Sequence, residues 1–310
     1  MSRHSHHPWL HRYAIFVAFA TFLLIIAGAL VTSNDAGLSV PSWPTFFGSF
    51  RMPRMVGGVF YEAGHRMVAG VVVLLTLILA VWIWRSEERQ WVRRLAALSV
   101  LAILIQAVLG GLTVLFYLPV AISVAHACMA QIFFCIMVSL AIFSGPDWRW
   151  DESKIEDPSS PTLCWLAAAN TTMIFVLIVL GAIFRHHGFG VIPHILVAVL
   201  VTVGTLWILA RILSHFGQIT PLVRAARLLT ALLALQLILG VGSYIELLTH
   251  QYAPQPEAPV VDITTAHVAV GGLVLVASLS LTYRIYRYVG TRLEGHEGSA
   301  EITAHGKVTA

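Results

Sequence analysis

Charged side chains are scarce in this chain. Of 310 residues, 11% are charged and 58% are hydrophobic, where a soluble domain of this size carries about 25% charged residues. That scarcity excludes an ordinary soluble domain. Polar stretches long enough to fold separately are missing too, because only loops remain between the apolar runs. Cysteine is sparse: Cys128, Cys135 and Cys164 lie within or at the start of apolar runs, none in an outer loop. No disulfide framework is implied, and the three read as small buried hydrophobes. No basic–aromatic patch lies outside the runs, so nucleic acid is not an expected partner.

What is present is apolar sequence in membrane-length pieces. Runs of about 20 residues suffice to cross a bilayer. Eight occur, at 13–32, 65–84, 95–116, 121–143, 163–184, 191–211, 226–246 and 265–284. The reading is an all-α polytopic membrane protein, its eight transmembrane helices arranged as two repeated four-helix bundles, with membrane lipid around it. The first run is followed by no small-residue cleavage site, so it is expected to be a retained helix and not a signal peptide.

Cationic residues orient the chain. Eight spans put both termini on one side, and that side holds 15 of the 19 Lys and Arg residues. Only Arg51, Arg54, Arg66 and Arg185 fall on the other. Both termini are therefore expected in the cytoplasm, with the chain in the inner (cytoplasmic) membrane of the cell. The isoelectric point near 9.1 reflects this bias.

The two halves repeat. Ala27-Gly28-Ala29-Leu30 answers Leu180-Gly181-Ala182-Ile183, and the Gln106 to Gly110 string answers Gln236 to Gly240. Ala125-His126 answers Ala266-His267, and His65 answers His194. Four spans return the chain to its starting side, so the repeats are parallel. The expected organisation is a cytoplasmic N-terminal tail (1–12), an N-terminal bundle (13–144), a cytoplasmic linker (145–162), a C-terminal bundle (163–288) and a polar, disordered cytoplasmic tail (289–310). The first outer loop, 33–64, is long and its counterpart, 185–190, short; the last, 247–264, is long and proline-rich. With Trp43, Phe46, Phe47, Phe50 and Phe60, the first loop suits a lid over a site in the first half or an interfacial anchor.

His65, His126, His194 and His267 open the even-numbered runs, at the outer end of each. Polar residues inside a membrane are costly and mark functional sites. Two histidines per half, on facing helices, suit axial ligation of haem iron. The other ten histidines lie in tails or loops and receive no cofactor role. Glu62 precedes His65 by three residues, which places both on one helix face if the helix reaches back that far. Glu62 reads as an acid–base group beside the ligand of His65, or as a first-turn acid paired with Arg66. The matching positions in the second half are Val191 and Ile195. That half keeps the histidines and lacks both charges, so it reads as a site that only holds a cofactor. Arg66, Arg51, Arg54 and Arg185 are candidates to meet haem propionates.

Together, the eight spans, the duplicated unit, the Glu62-x-x-His65-Arg66 motif, the single histidines and the Gly37-Leu38-Ser39…Trp43-Pro44 stretch resemble the haem A synthase family. The resemblance implies an oxidoreductase that converts haem O to haem A for terminal oxidase assembly, oxidising the methyl on porphyrin carbon 8 to a formyl group. It implies that His194 and His267 hold a haem b cofactor. It further implies that His65, His126 and Arg66 serve the substrate haem, with Glu62 as the catalytic carboxylate. Two successive oxidations would pass through an alcohol and a geminal diol. Haem O synthase and an electron donor are the protein partners such an activity calls for, and a homo-oligomer stays open. Some members carry cysteine pairs in the outer loops. Here Val40 and Phe46–Phe47 stand where the first pair would fall, so the chain resembles the cysteine-poor subgroup.

The alternative from another class is a dihaem b-type cytochrome that only transfers electrons. Such cytochromes commonly carry two histidines on one helix and stack haems across both leaflets, whereas each helix here has one histidine. A transporter fits less well, because the ionisable candidates lie near the outer surface and not at the midplane.

Overall fold

The computed structural model describes residues 7–146, 148 and 154–291. Eight helices are long and apolar enough to cross a membrane. They are α1 (Pro8–Ser33), α2 (Gly58–Ser86), α3 (Gln90–Leu115), α4 (Val120–Phe143), α5 (Leu163–Arg185), α6 (Ile192–His215), α7 (Thr220–Thr249) and α8 (Ala258–Tyr288). Backbone polar groups find no water in the hydrocarbon region, so the helix satisfies them internally. Several hydroxyls inside the spans do likewise: Thr21, Thr76, Thr202 and Thr230 each donate to the carbonyl four residues earlier.

Helix α1 packs on α2 and α4, and α3 on α2 and α4; α5 packs on α6 and α8, and α7 on α6 and α8. Each ring has its own apolar core. In the first, Val17, Leu79, Ile103 and Met137 are among the buried residues; in the second, Ile174, Ile208, Leu229 and Leu281 are. The rings meet where α8 lies against α1 and α4, and α4 against α5. Ile25, Phe134 and Val276 form a small apolar cluster at that seam. Hydrogen bonds cross it as well, Ser33 to Thr264 at 2.8 Å and Ser139 to Tyr283 at 2.9 Å. Between lipid-soluble helices, packing and such bonds replace the hydrophobic drive available in water.

The helices reach beyond the apolar runs, which corrects several expectations. Helix α2 starts at Gly58, so Glu62 lies inside it, and α8 starts nine residues before His267. Only His194 sits in the first turn of its helix; the other three histidines do not open theirs. The first outer loop shortens to 34–57 and the last to 250–257. A hydropathy criterion stops at Glu62 or Asp262, whereas a helix continues while its backbone bonds continue. Gly57, at φ 56°, makes the turn into α2 in a region that favours glycine.

The linker and the start of the C-terminal tail are also more ordered than expected. β1 (Ile155–Asp157) pairs in parallel with β2 (Val289–Thr291), so the disordered tail expected from 289 does not begin there. The remainder of that tail, 292–310, and residues 1–6 of the N-terminal tail lie outside the described residues. Asp157 accepts the Leu163 N–H at 2.6 Å at the start of α5 and pairs with Arg211 of α6 at 2.9 Å. Burial opposes its ionisation, but the Leu163 and Ser159 N–H groups and the Arg211 charge outweigh it and hold the carboxyl below its usual value. Arg211, read from sequence as one of the cytoplasmic charges, is thus buried and paired.

Candidate haem sites

Each of the four histidines is seated against a glycine on the preceding helix. A Cβ built on Gly28 would stand 3.1 Å from the His65 ring, and one on Gly110 would stand 2.9 Å from His126. The same holds for Gly181 under His194 at 2.9 Å and Gly240 under His267 at 3.0 Å. Any other residue would push the ring away from the helix. His194 shows what the close approach permits: its Nδ1 donates to the Leu177 carbonyl at 3.0 Å, four residues before Gly181. That bond leaves Nε2 as the nitrogen free for a metal.

Gln106 and Gln236 hold the positions matching Leu177 in α3 and α7. Their carbonyls face the His126 and His267 rings, and their side-chain amide nitrogens stand 3.5 and 3.3 Å from Nε2 of those rings. Nδ1 of His65, His126 and His267 is buried without a hydrogen bond, as is Oε1 of both glutamines. In the sequence the Gln-x-x-x-Gly strings mark only the repeat; their place beside the histidines is visible only in the packed structure.

In the second ring the His194 and His267 centroids lie 6.4 Å apart, their planes at 70°. With a metal–imidazole bond of about 2 Å and a ring radius of about 1.1 Å on each side, two histidines that would hold one metal between them stand about 6 Å apart, centroid to centroid. The two imidazoles at this spacing, with His194 Nδ1 held by Leu177 and His267 Nδ1 buried, are residues that would hold an iron group between them. In the first ring, His65 and His126 are close enough for a charge on one to be felt by the other. His186, given no role from sequence, is near enough to His126 to act on it in the same way. Burial, then the Arg185 charge, hold the His186 imidazole below its usual value.

Glu62 and Arg66 do not stand open beside the first pair. Glu62 is 3% exposed. Its Oε2 accepts the Val40 N–H at 2.7 Å, and Arg66 donates to its Oε1. Arg66 also donates to the carbonyls of Ser42 at 2.7 Å, Val40 at 2.8 Å and Thr45 at 3.3 Å. A buried ion pair is costly unless its remaining bonds are filled, and the loop carbonyls fill them. The pair therefore pins the first outer loop to α2. Ser39 of that loop packs on Gly58 and Trp43 on Gly111, one residue from the His126 seat. The loop's inner side is buried, with Val40 fully so, while Phe47 and Phe50 face outward. Arg51 and Arg54 are exposed. Arg185 donates to Thr32 O at 2.8 Å and lies 3.9 Å from Asp35, joining α5 to the end of α1.

The family model COX15-CtaA, described as "Cytochrome oxidase assembly protein", matches residues 57–193. That span contains Glu62, His65, Arg66 and His126. Among curated relatives, the Heme A synthase of Lysinibacillus sphaericus (strain C3-41) is 29% identical over 186 residues, 59% of this chain and 60% of that protein. The Heme A synthase of Symbiobacterium thermophilum is 31% identical over 176 residues, covering 54% and 56%. That of Shouchella clausii (strain KSM-K16) is 32% identical over 136 residues, covering 43% and 45%. The matched part is thus less than two thirds of each of these relatives. Residues 57–193, which carry the first histidine pair and the Glu62–Arg66 motif, thus resemble the COX15-CtaA family of cytochrome oxidase assembly proteins, and over about half its length the chain is similar to haem A synthases.

Proposed function

We propose that this protein is a haem A synthase, an oxidoreductase that oxidises the carbon 8 methyl of haem O to a formyl group. The observation that carries the reading is the asymmetry of two otherwise matched histidine pairs. Both rings seat their histidines on glycines, but only the first adds the Glu62–Arg66 pair and the loop it holds. In this reading the first bundle (13–144) binds haem O between His65 and His126, and the second (163–288) holds haem b through His194 and His267. Haem b supplies one-electron redox chemistry when bound.

The chain's own residues divide the work. The Leu177 bond fixes the His194 tautomer and aims Nε2 inward. The loop 34–57 excludes water from the first site, with Val40 buried and Trp43 against α3. Glu62 provides a carboxylate that takes a proton from the oxidised methyl or attacks it. Arg66 orients that carboxylate through their ion pair and serves substrate binding through the loop it anchors. The 15-to-4 cationic bias supports cytoplasmic termini in the inner membrane.

The test is haem extraction and chromatography from cells that make haem O, with and without this protein. Haem A appearing only with the protein supports the enzyme. Haem O alone in both, beside a normal b-type spectrum, makes the protein a dihaem cytochrome.

A further inference from the structure

The two histidines of each pair differ in what surrounds Nε2. His194 faces the carbonyl of Leu177, whose hydrocarbon side chain offers nothing to Nε2. His267 faces Gln236, which reaches both sides of the ring: its carbonyl lies against the imidazole and its amide nitrogen is 3.3 Å from Nε2. Gln106 brackets His126 in the same way, at 3.5 Å. Each ring thus has one plain histidine and one whose ligand nitrogen is attended by an amide. The Gln236 amide lies against α8, 3.2 Å from where a Gly271 Cβ would stand.

We propose that Gln236 and Gln106 are positioning residues that cap Nε2 of His267 and His126 by donating an amide N–H, and so compete with iron for that nitrogen. His267 and His126 are then the weaker, exchangeable axial ligands, and His194 and His65 the firm ones. A lone pair engaged by an N–H donor is unavailable to a metal, so ligation must first break that hydrogen bond. The plain histidines carry no such cost. For the substrate site this gives direction: haem O enters and product leaves on the side of His126, while His65 keeps its hold. The inference rests on the haem-binding reading above, and the opposite amide orientation gives the opposite result.

The experiment uses the full-length purified protein with its bound haem b. Gln236→Leu and the closer-shaped Gln236→Met remove the donor. Carbon monoxide binding to the reduced protein reads the strength of the exchangeable ligand, because the gas must displace it. With the cap gone, His267 holds iron more firmly, and the carbon monoxide Kd rises about fivefold, the factor one ordinary hydrogen bond is worth. An unchanged Kd in both variants, or a lowered one, overturns the proposal; the lowered value identifies the glutamine as a support. Haem content measured on the same samples separates misfolding from weaker ligation, and the Met variant stands if the Leu variant does not fold. A His267→Ala control with unaltered spectrum and gas binding overturns the haem-site reading instead, whatever the glutamine variants do.

Discussion

At Glu62 one carboxylate meets two demands, holding the loop and serving the chemistry, and a pair of substitutions separates them. Glu62→Gln keeps an acceptor for the Val40 N–H but removes the charge and basicity. If Glu62 works on the substrate, haem A falls at least ~100-fold, the low end for a lost acid–base group. The b-type spectrum stays, and haem O or a partly oxidised alcohol accumulates. Arg66→Met frees the carbonyls of Val40, Ser42 and Thr45 while leaving the carboxylate. Extracted haems then decide: equal losses in the two variants assign Glu62 to the loop alone, and a much larger loss in the Gln variant assigns it to the reaction.

Among the helices, the seats under the histidines are the most exacting contacts. Gly181→Ala drives a methyl to 2.9 Å from the His194 ring. The ring or the helix must shift, and if the second ring holds haem b as proposed, its absorption is expected to broaden or weaken. Gly70→Ala in α2 meets nothing within 4 Å and is expected to leave the spectrum unchanged. Equal spectra for both variants would remove the glycine seats from the account. On the side of the chain termini, the Asp157–Arg211 link ties the linker to α6 and the start of α5. Its folded pKa lies below the unfolded value of about 3.9. The unfolded chain therefore binds more protons in acid, and the stabilisation is present above that value and lost as pH falls through the folded pKa. Thermal unfolding of Asp157→Asn against pH is expected to show lower stability at neutral pH, with the difference from the parent shrinking in acid. A constant difference down to the lowest pH reached would contradict the link.

Among the described residues eight helices are of membrane length, and the cationic residues of the chain lie mostly on one side by sequence count. Reporter fusions at Gln90, Ile155 and Gln218 are expected to report cytoplasm, and a fusion at Asp35 the outer side. One reversed signal would sink the topology. The α7–α8 hairpin reaches further outward than its counterparts, since α7 continues nine residues past Gly240, about 14 Å of helix, where α1 continues five past Gly28. The short 5–6 loop brings Arg185 to Asp35 and Thr32, so the second ring helps close the outer face of the first.

Composition and periodic placement determined the membrane class, the number of spans, the repeat and the four histidines, because burying twenty apolar residues or one imidazole in lipid leaves a mark in the sequence itself. The motif around Glu62 was legible for the same reason: a charge beside a membrane histidine is expensive and therefore conspicuous. Helix ends were not, since hydropathy stops at a polar residue and backbone hydrogen bonds do not. Only the packed structure decided that Gly28, Gly110, Gly181 and Gly240 are seats for rings. It alone turned Arg66 toward Val40, Ser42 and Thr45, and paired β1 with β2. Each of these depends on how closely two distant segments approach, and approach distance is a property of the fold as a whole that no single segment encodes.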